Sequence, residues 1–530
     1  MTNKFNGVIL TALLLYAFYC AISIGISWDE LAHMERGNER LKYILSFGTY
    51  DYINYRDQKF YPGFYNTLVT FFTKFFPKKY EIETLHVGNF IFSISTIFAI
   101  SKISKELFNK DVSKIVFILC FFNPIFFGHM AINQKDMIIA FSNIWSTYLI
   151  IKYFKKQQIN EKRNYYVWLA GLTIGLGQGV RMVFFSTLFP VVLFFIFDAL
   201  FLKKITNKNF LFKKLFIDIF KVFIISYLIM ISCWPDTHSN IFTLPFSIFF
   251  ESLNNAFGVP VGLLNGNFYN TFETPKSYLL VNLLYKMPEF ILISYLLSIF
   301  IFFKNKNFFY SKFNFFNTKL ILVLFIIIYP NFLILFTPYR IFDGLRLFLY
   351  IIPYICIIPS LLIYYLLINY KEKISKVLIL PILSFMIYYL LIFFSLTPFH
   401  YTYINILNGK YSNAHNNFEN DYWAVSLKEL ISKIPSKLNI KDSRKIKFAF
   451  CGVASSNLKL YFKKINNFNY SEVNFLDKDY DYIIMTNRAV VNNINELNKA
   501  KTCFQKFQGE DVVSVRRNGL ILSTIRKKTK

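Results

Sequence analysis

Acidic residues are scarce. The 530-residue chain has 31 Asp and Glu against 59 Lys and Arg, a formal net charge of +28. A cationic surplus points to nucleic acid when it forms a patch on a soluble fold. Here the cations fall in short clusters between apolar runs, which excludes a nucleic-acid partner. Cysteine is scarce too: there are six, and no pair has zinc-finger spacing, so a structural zinc module is excluded. Cys20, Cys120, Cys233 and Cys356 lie in or beside apolar runs, as buried packing residues do. Cys451 and Cys503 lie in the polar tail and either stay apart or pair. The tail has no Gly-rich phosphate loop and no nucleophile elbow. The first apolar run lacks a small-residue cleavage site and is expected to be a retained helix.

Apolar residues are abundant. They make up 55% of the chain and aromatics 20%, and mean hydropathy is +0.38. A soluble protein of this length needs far less apolar surface, so the composition predicts an α-helical polytopic membrane protein. Runs long enough to cross the hydrocarbon recur at 8–26, 84–101, 112–127, 137–154, 165–180, 183–202, 215–234, 277–303, 320–336, 347–369 and 376–396, about eleven in all. If they alternate, five cationic groups share one side. These centre on Lys105 and Lys110, on Lys155 and Lys156, on Lys203 and Lys213, on Lys306 and Lys312, and on Lys371 and Lys373. By the positive-inside rule that side is cytoplasmic. The expectation is a multi-pass protein of the bacterial inner membrane, with its N-terminus cytoplasmic and its C-terminus periplasmic.

The outer side then receives 27–83, 128–136, 235–276, 337–346 and everything after about 397. Segment 27–83 is too long for a plain loop, and helical patterning at Leu41, Ile44 and Leu45 predicts amphipathic helices on the membrane surface. Its aromatic-rich part, 61–77, suits a re-entrant or interfacial piece. The membrane part is expected over 1–400 and an interfacial connection over 401–439. A small extracytoplasmic α/β domain is expected over 440–530, with strands at 445–450 and 481–486, a helix at 456–464 and a terminal hairpin around Asn518-Gly519. Without catalytic motifs it is expected to be accessory.

Chemistry concentrates at the outer ends of the runs. Ser27-Trp28-Asp29-Glu30-Leu31-Ala32-His33 follows the first run directly. Trp28 suits the headgroup boundary. Asp29 and Glu30 are either hydrated residues at a helix end or carboxylates half out of water; the latter keep a raised pKa or pair with a cation. His33 lies one helical turn on, and Arg56, Asp57 and Lys59 follow in the same loop. The next outer loop carries His129, Lys135 and Asp136. Arg181 lies between two apolar runs, and Arg340, Asp343 and Arg346 lie before another. Ions in such places either snorkel and pair between helices or face a polar cavity. Together they describe a carboxylate site beside a cationic one, suited to an anionic lipid-linked donor and a nucleophile that must lose a proton. Asp421-Tyr422-Trp423 is either an interfacial anchor or a cover over that site.

These residues carry a resemblance. Asp29-Glu30-x-x-His33-x-x-x-Gly37 is followed by Phe122-Asn123-Pro124, Phe127-Gly128-His129, Lys135-Asp136 and the stretch 171–181. Then come Trp234-Pro235, Asp343-Gly344-Leu345-Arg346, Pro398-Phe399-His400-Tyr401 and Glu419-Asn420-Asp421-Tyr422-Trp423. The series resembles the GT-C superfamily of membrane glycosyltransferases, and more closely the bacterial family 39, dolichyl-phosphate-mannose-protein mannosyltransferase-like group. It departs at Asn408-Gly409-Lys410 and at Ala424, where relatives often carry glycine. The resemblance implies sugar transfer from a polyprenyl-phosphate sugar, as co-substrate, to a glycan, lipid or protein acceptor among membrane lipids. Asp29, Glu30 and Asp136 would be catalytic, with Asp29 the base. Lys135, Arg181, Arg340 and Arg346 would hold the donor phosphate, and His33, His129, Tyr422 and Trp423 would line the site or meet the acceptor. A divalent cation held by Asp29, Glu30, His33 and Asp136 is one option, and pairing with arginine the other. The rival reading is a transporter or lipid flippase. Such proteins usually place ionisable residues at the midplane on interrupted helices and show internal repeats, and no two-fold repeat is present here.

Overall fold

The computed structural model describes residues 2–53, 57–254, 258–336, 340–438, 445–465, 468–477, 479–492 and 496–528. Arg56 lies outside the described residues. In chain order the first helices are α1 (Thr2–Ser23), α2 (Glu30–Leu45), α3 (Phe64–Thr73), α4 (Glu81–Leu107), α5 (Lys110–Phe121), α6 (Pro124–His129) and α7 (Asp136–Lys156). Then follow α8 (Asn160–Gln178), α9 (Phe184–Phe197), α10 (Phe212–Ser232) and α11 (Leu244–Asn254). A hairpin of β1 (Val261–Leu264) and β2 (Asn267–Asn270) precedes α12 (Tyr278–Lys286), α13 (Glu289–Lys304), α14 (Lys306–Lys312) and α15 (Phe316–Phe336). The last membrane helices are α16 (Ile352–Ile355), α17 (Ile357–Ile368) and α18 (Lys373–Ser395).

Helices occupy every place where an apolar run was expected. Among the described residues six single helices, α4, α7, α9 with its continuation to Leu202, α10, α15 and α18, are long and apolar enough to cross a membrane. Helices α12 and α13 reach that length only together, bent by 110°; Pro288 stands at the break, where it ends the helical hydrogen bonding. The runs 8–26 and 347–369 contain shorter apolar helices. Segment 27–83 folds into α2 and α3, in line with the helices expected there.

Local chemistry fixes the breaks. Asn109 caps α5 by accepting from Asp111 N at 3.0 Å and Val112 N at 2.9 Å. Asn123 caps α6 through Phe126 N, with Pro124 in the first turn. Between α8 and α10, Gly171 and Gly175 permit close contact: a Cβ would lie 2.8 Å from Ile225 and Ile229 atoms respectively.

The bundle has two chemically different ends. At one, Glu106 of α4 pairs with Lys152 and Lys155 of α7 at 2.6 and 3.5 Å. There too Arg163 meets Asp218 at 3.4 Å, and Lys204 lies 5.0 Å over the Phe315 ring. This gathers cationic connections that the alternation placed together. At the other end lie α2, α3, α11, the hairpin and the chain beyond 397.

That chain continues with α19 (Leu427–Ser432), α20 (Ile434–Lys437), β3 (Ile446–Cys451), α21 (Ser455–Phe462), β4 (Tyr470–Glu472), β5 (Tyr482–Thr486), β6 (Ala489–Val490) and β7 (Lys501–Thr502). Helix α22 (Cys503–Lys506), β8 (Gly509–Arg517) and β9 (Leu520–Lys528) complete it. A five-stranded sheet has the order β4-β3-β5-β9-β8; β3 runs parallel to β4 and β5, and the other pairs are antiparallel. The expected strands, helix and hairpin are all present, with Asn518 and Gly519 at φ +48° and +80° in the turn. Cys451 and Cys503 form a disulfide.

The β-rich domain packs on the segment after α1. Tyr461 Oη accepts from Ile26 N at 2.8 Å, and Asn457 Nδ2 donates to Ser27 O at 3.0 Å. Gly25 makes this approach possible, since a Cβ there would lie 2.2 Å from Val425 O.

Candidate functional site

Asp29 occupies the N-cap position of α2, yet its side chain makes no capping bond. Burial raises its pKa, but His33 first and then positive charge at Lys135, Arg346 and Arg36 outweigh this, so the carboxyl lies below its ordinary value and is ionised at neutral pH. The raised pKa open to it from sequence alone gives way to the surrounding positive charge. His33 is 5% exposed and its Nδ1 has no hydrogen-bond partner. Burial first, then Lys135, hold it well below the usual histidine range, so it faces Asp29 as neutral imidazole.

Glu30 turns elsewhere. Its carboxylate accepts from Ser27 N and lies 3.0 Å from His86 Nε2 on α4, while His86 Nδ1 meets Ala21 O at 2.9 Å. Glu30 thus ties the end of α1 to α4 and the start of α2.

The start of α7 brings in the second acid. Asn133 Oδ1 accepts from Asp136 N at 2.8 Å, and its amide donates to Asp136 Oδ2 at 3.2 Å, which fixes the carboxylate. Arg181 lies 3.8 Å from Asp136 Oδ1. Lys135 and Arg181 both lie over the Tyr61 ring, at 4.0 and 5.8 Å from its centroid. Burial pushes the Lys135 ammonium down to about 8; the Asp29 carboxylate opposes this shift, and Arg181 and Arg36 add to it.

A third group faces these two. Asp343 adopts φ +60°, ahead of Gly344 at +64°, a left-handed turn that Asp tolerates better than bulkier residues. Its carboxylate meets Arg346 at 3.1 Å and Arg488 at 2.8 Å. Arg346 also lies 5.3 Å over Trp423, and its charge acts on both Asp29 and Asp136. Tyr422 Oη bonds His129 Nε2 at 2.8 Å. Burial, then Arg346 and Lys286, push His129 down to about 3, so this ring also stays neutral. Asp421 accepts from Tyr401 Oη, Ser426 Oγ and the amides of Val425 and Ser426, which locks the segment that presents Tyr422 and Trp423.

The structure therefore joins Asp29, His33, Lys135, Asp136, Arg181 and Arg346 into one charged cluster, here called the cleft, with Trp423 against Arg346 and the Tyr422–His129 pair beside it. It directs Glu30 into the packing behind. Arg340 lies with its guanidinium 3.3 Å over the Phe272 ring, beyond the hairpin. Among the described residues no group of three or more His, Cys, Asp or Glu side chains converges as metal ligands.

Three cations escaped the sequence reading. Arg36 pairs with Asp57 and its charge reaches Asp29. Lys286 is 6% exposed and lies 5.8 Å over the Tyr422 ring; a lysine inside an apolar run was a signal for it. Arg488 comes from the domain expected to be accessory, where nothing in the sequence marks it.

A family model described as dolichyl-phosphate-mannose-protein mannosyltransferase matches residues 62–227. That range holds His129, Lys135, Asp136 and Arg181 but not Asp29 or Arg346. No curated protein matches the chain by sequence. Among solved structures, the apo form of ArnT from Cupriavidus metallidurans is similar with TM-score 0.51 and 11% identity, over 99% of this chain and 98% of that one. The same ArnT bound to undecaprenyl phosphate gives TM-score 0.48, 9% identity and the same coverage. The oligosaccharyltransferase AglB from Archaeoglobus fulgidus, in complex with an inhibitory peptide and a dolichol-phosphate, gives TM-score 0.46 and 11% identity over 91% and 70%. The chain has the GT-C fold of the ArnT structure, and the resemblance read from its motifs is borne out. It is a multi-pass membrane protein.

Proposed function

We propose that the chain is a glycosyltransferase that moves a sugar from a polyprenyl-phosphate donor to an acceptor hydroxyl at the periplasmic face of the inner membrane. The observation that carries this reading is an ionised carboxylate, Asp29, with Lys135, Arg36 and Arg346 around it. Asp29 accepts the proton of the acceptor hydroxyl. The oxygen attacks the anomeric carbon, and the carbon–oxygen bond to polyprenyl phosphate breaks, which inverts the anomeric centre. The leaving phosphate is already anionic, so cations stabilise it without a general acid. In this reading Lys135, Arg181 and Arg346 supply that charge.

Charge also couples binding to basicity. A bound phosphate offsets the cations that hold the Asp29 pKa down, so Asp29 becomes a stronger base once the donor is in place. Neutral His33 is free to accept or donate one hydrogen bond without adding charge.

The test uses purified protein with synthetic polyprenyl-phosphate sugars, following release of polyprenyl phosphate and glycosylated acceptor. Asp29→Asn keeps the shape and removes the proton acceptor; turnover is expected to fall roughly 10²–10⁴-fold while donor binding persists. Near wild-type turnover in Asp29→Asn would refute the assignment.

A further inference from the structure

We infer that Arg488, carried by the extramembrane β-rich domain, is a positioning residue of the cleft: it shares the Asp343 carboxylate and so leaves Arg346 available to an anionic ligand. The inference rests on reading the cleft as the donor-phosphate site.

Arg488 is 8% exposed, Asp343 4% and Arg346 7%, so the three form an Arg–Asp–Arg row out of water. Arg488 Nη1 donates to Asp343 Oδ1 at 2.8 Å and to Tyr422 O at 2.7 Å. Arg346 Nη1 meets the other carboxylate oxygen, Oδ2, at 3.1 Å. Glu419 Oε1 also lies 3.9 Å from Arg488 Nε, so Arg488 stands between two carboxylates while Arg346 shares Asp343 with it, and Arg346 is the member whose charge reaches Asp29 and Asp136. Without Arg488, both Asp343 oxygens would be open to Arg346. A bidentate arginine–carboxylate pair is strong, and it would compete directly with a ligand phosphate.

The domain is built to hold Arg488 there. Asn487 Nδ2 bonds His415 O and Phe418 O, both at 2.9 Å, and Ala489 N donates to Glu419 Oε1 at 2.9 Å. Behind it, Cys503 N donates to Arg488 O at 2.8 Å, and Cys503 is disulfide-bonded to Cys451. Next to Cys451, Gly452 has φ +68°, and a Cβ there would lie 2.6 Å from Arg488 Cβ. Backbone bonds on both sides and the disulfide behind hold the residue in place, and its guanidinium reaches Asp343, Tyr422 O and Glu419.

The experiment measures binding of undecaprenyl phosphate, in detergent, to the full-length protein and its variants. Arg488→Ala is expected to weaken binding on the order of tenfold. In the double variant Asp343→Asn with Arg488→Ala, the Asp343 carboxylate no longer sequesters Arg346, and affinity should return to within about threefold of wild type. Asp343→Asn also removes the buried charge that Arg488→Ala leaves uncompensated, so melting temperatures are measured beside affinity, and rescue of affinity without a matching rescue of melting temperature separates positioning from stability. Arg488→Lys keeps the charge and should bind more tightly than Arg488→Ala. Wild-type affinity in Arg488→Ala, or a double variant no better than Arg488→Ala, overturns the inference. Absence of binding by wild-type protein would instead remove the donor-phosphate reading beneath it.

Discussion

Raising the pH from 7 to 9 at constant ionic strength is expected to weaken undecaprenyl phosphate binding to the wild-type protein, and the change Lys135→Arg should remove most of that dependence. Burial among Arg181 and Arg36 pushes the Lys135 ammonium down to about 8, even with Asp29 pulling the other way. The sign follows: a lysine with a lowered pKa keeps its charge below that value and loses it as pH rises through it. With a pKa of about 8, roughly nine-tenths of Lys135 is charged at pH 7 and about one-tenth at pH 9. If only the ammonium form binds phosphate, apparent affinity falls about tenfold over this interval. Arginine stays charged throughout, so the variant should lose at most about twofold. His33 lies well below the usual histidine range and His129 at about 3, so neither adds a limb between pH 5 and 7. The assay is fluorescence or calorimetric titration at several pH values, with the Lys135→Arg comparison cancelling titration of the lipid phosphate itself. An alkaline limb of equal size in Lys135→Arg would refute the reasoning. So would a limb near pH 6.5 that His33→Gln abolishes.

Glu30→Gln should lower the melting temperature more than it lowers turnover per folded molecule, because Glu30 bonds Ser27 N and His86 and not the cleft; a turnover collapse matching Asp29→Asn would return Glu30 to catalysis. Breaking such a buried pair typically costs about 3 kcal/mol or more. Arg346→Ala should weaken donor binding more than Arg346→Lys, since a guanidinium holds phosphate through two bonds; equal affinity in wild type and Arg346→Ala would remove it from the site. The gathering of cationic connections at one end predicts that a phosphatase reporter fused after Lys530 is active and one fused near Lys156 is not. Activity at Lys156 would overturn the orientation.

The class of this protein is legible in its sequence because membrane crossing depends on local quantities. Apolar runs and cationic clusters act over a turn or two of chain, and helices stand in the places of the runs. The terminal hairpin is legible for the same reason: Asn518-Gly519 alone favours the turn. The motif series likewise brought Asp29, Lys135, Asp136, Arg181 and Arg346 forward together. What each side chain faces depended on packing between elements far apart in sequence. Asp29 and Glu30 are adjacent and chemically similar, yet α2 sends one to the cations of the cleft and the other to His86 on α4. The low pKa of Asp29 follows from charges gathered from α2, the start of α7 and the turn after α15, a sum that only the fold performs. Arg488 is the clearest case. It sits 145 residues from Asp343 in a domain without catalytic motifs, and nothing around it in the chain distinguishes it from a surface arginine. Only the docking of that domain, through Tyr461, Asn457 and Asn487, brings it to the carboxylate, because buried ion pairs are specified by three-dimensional proximity and not by spacing along the chain.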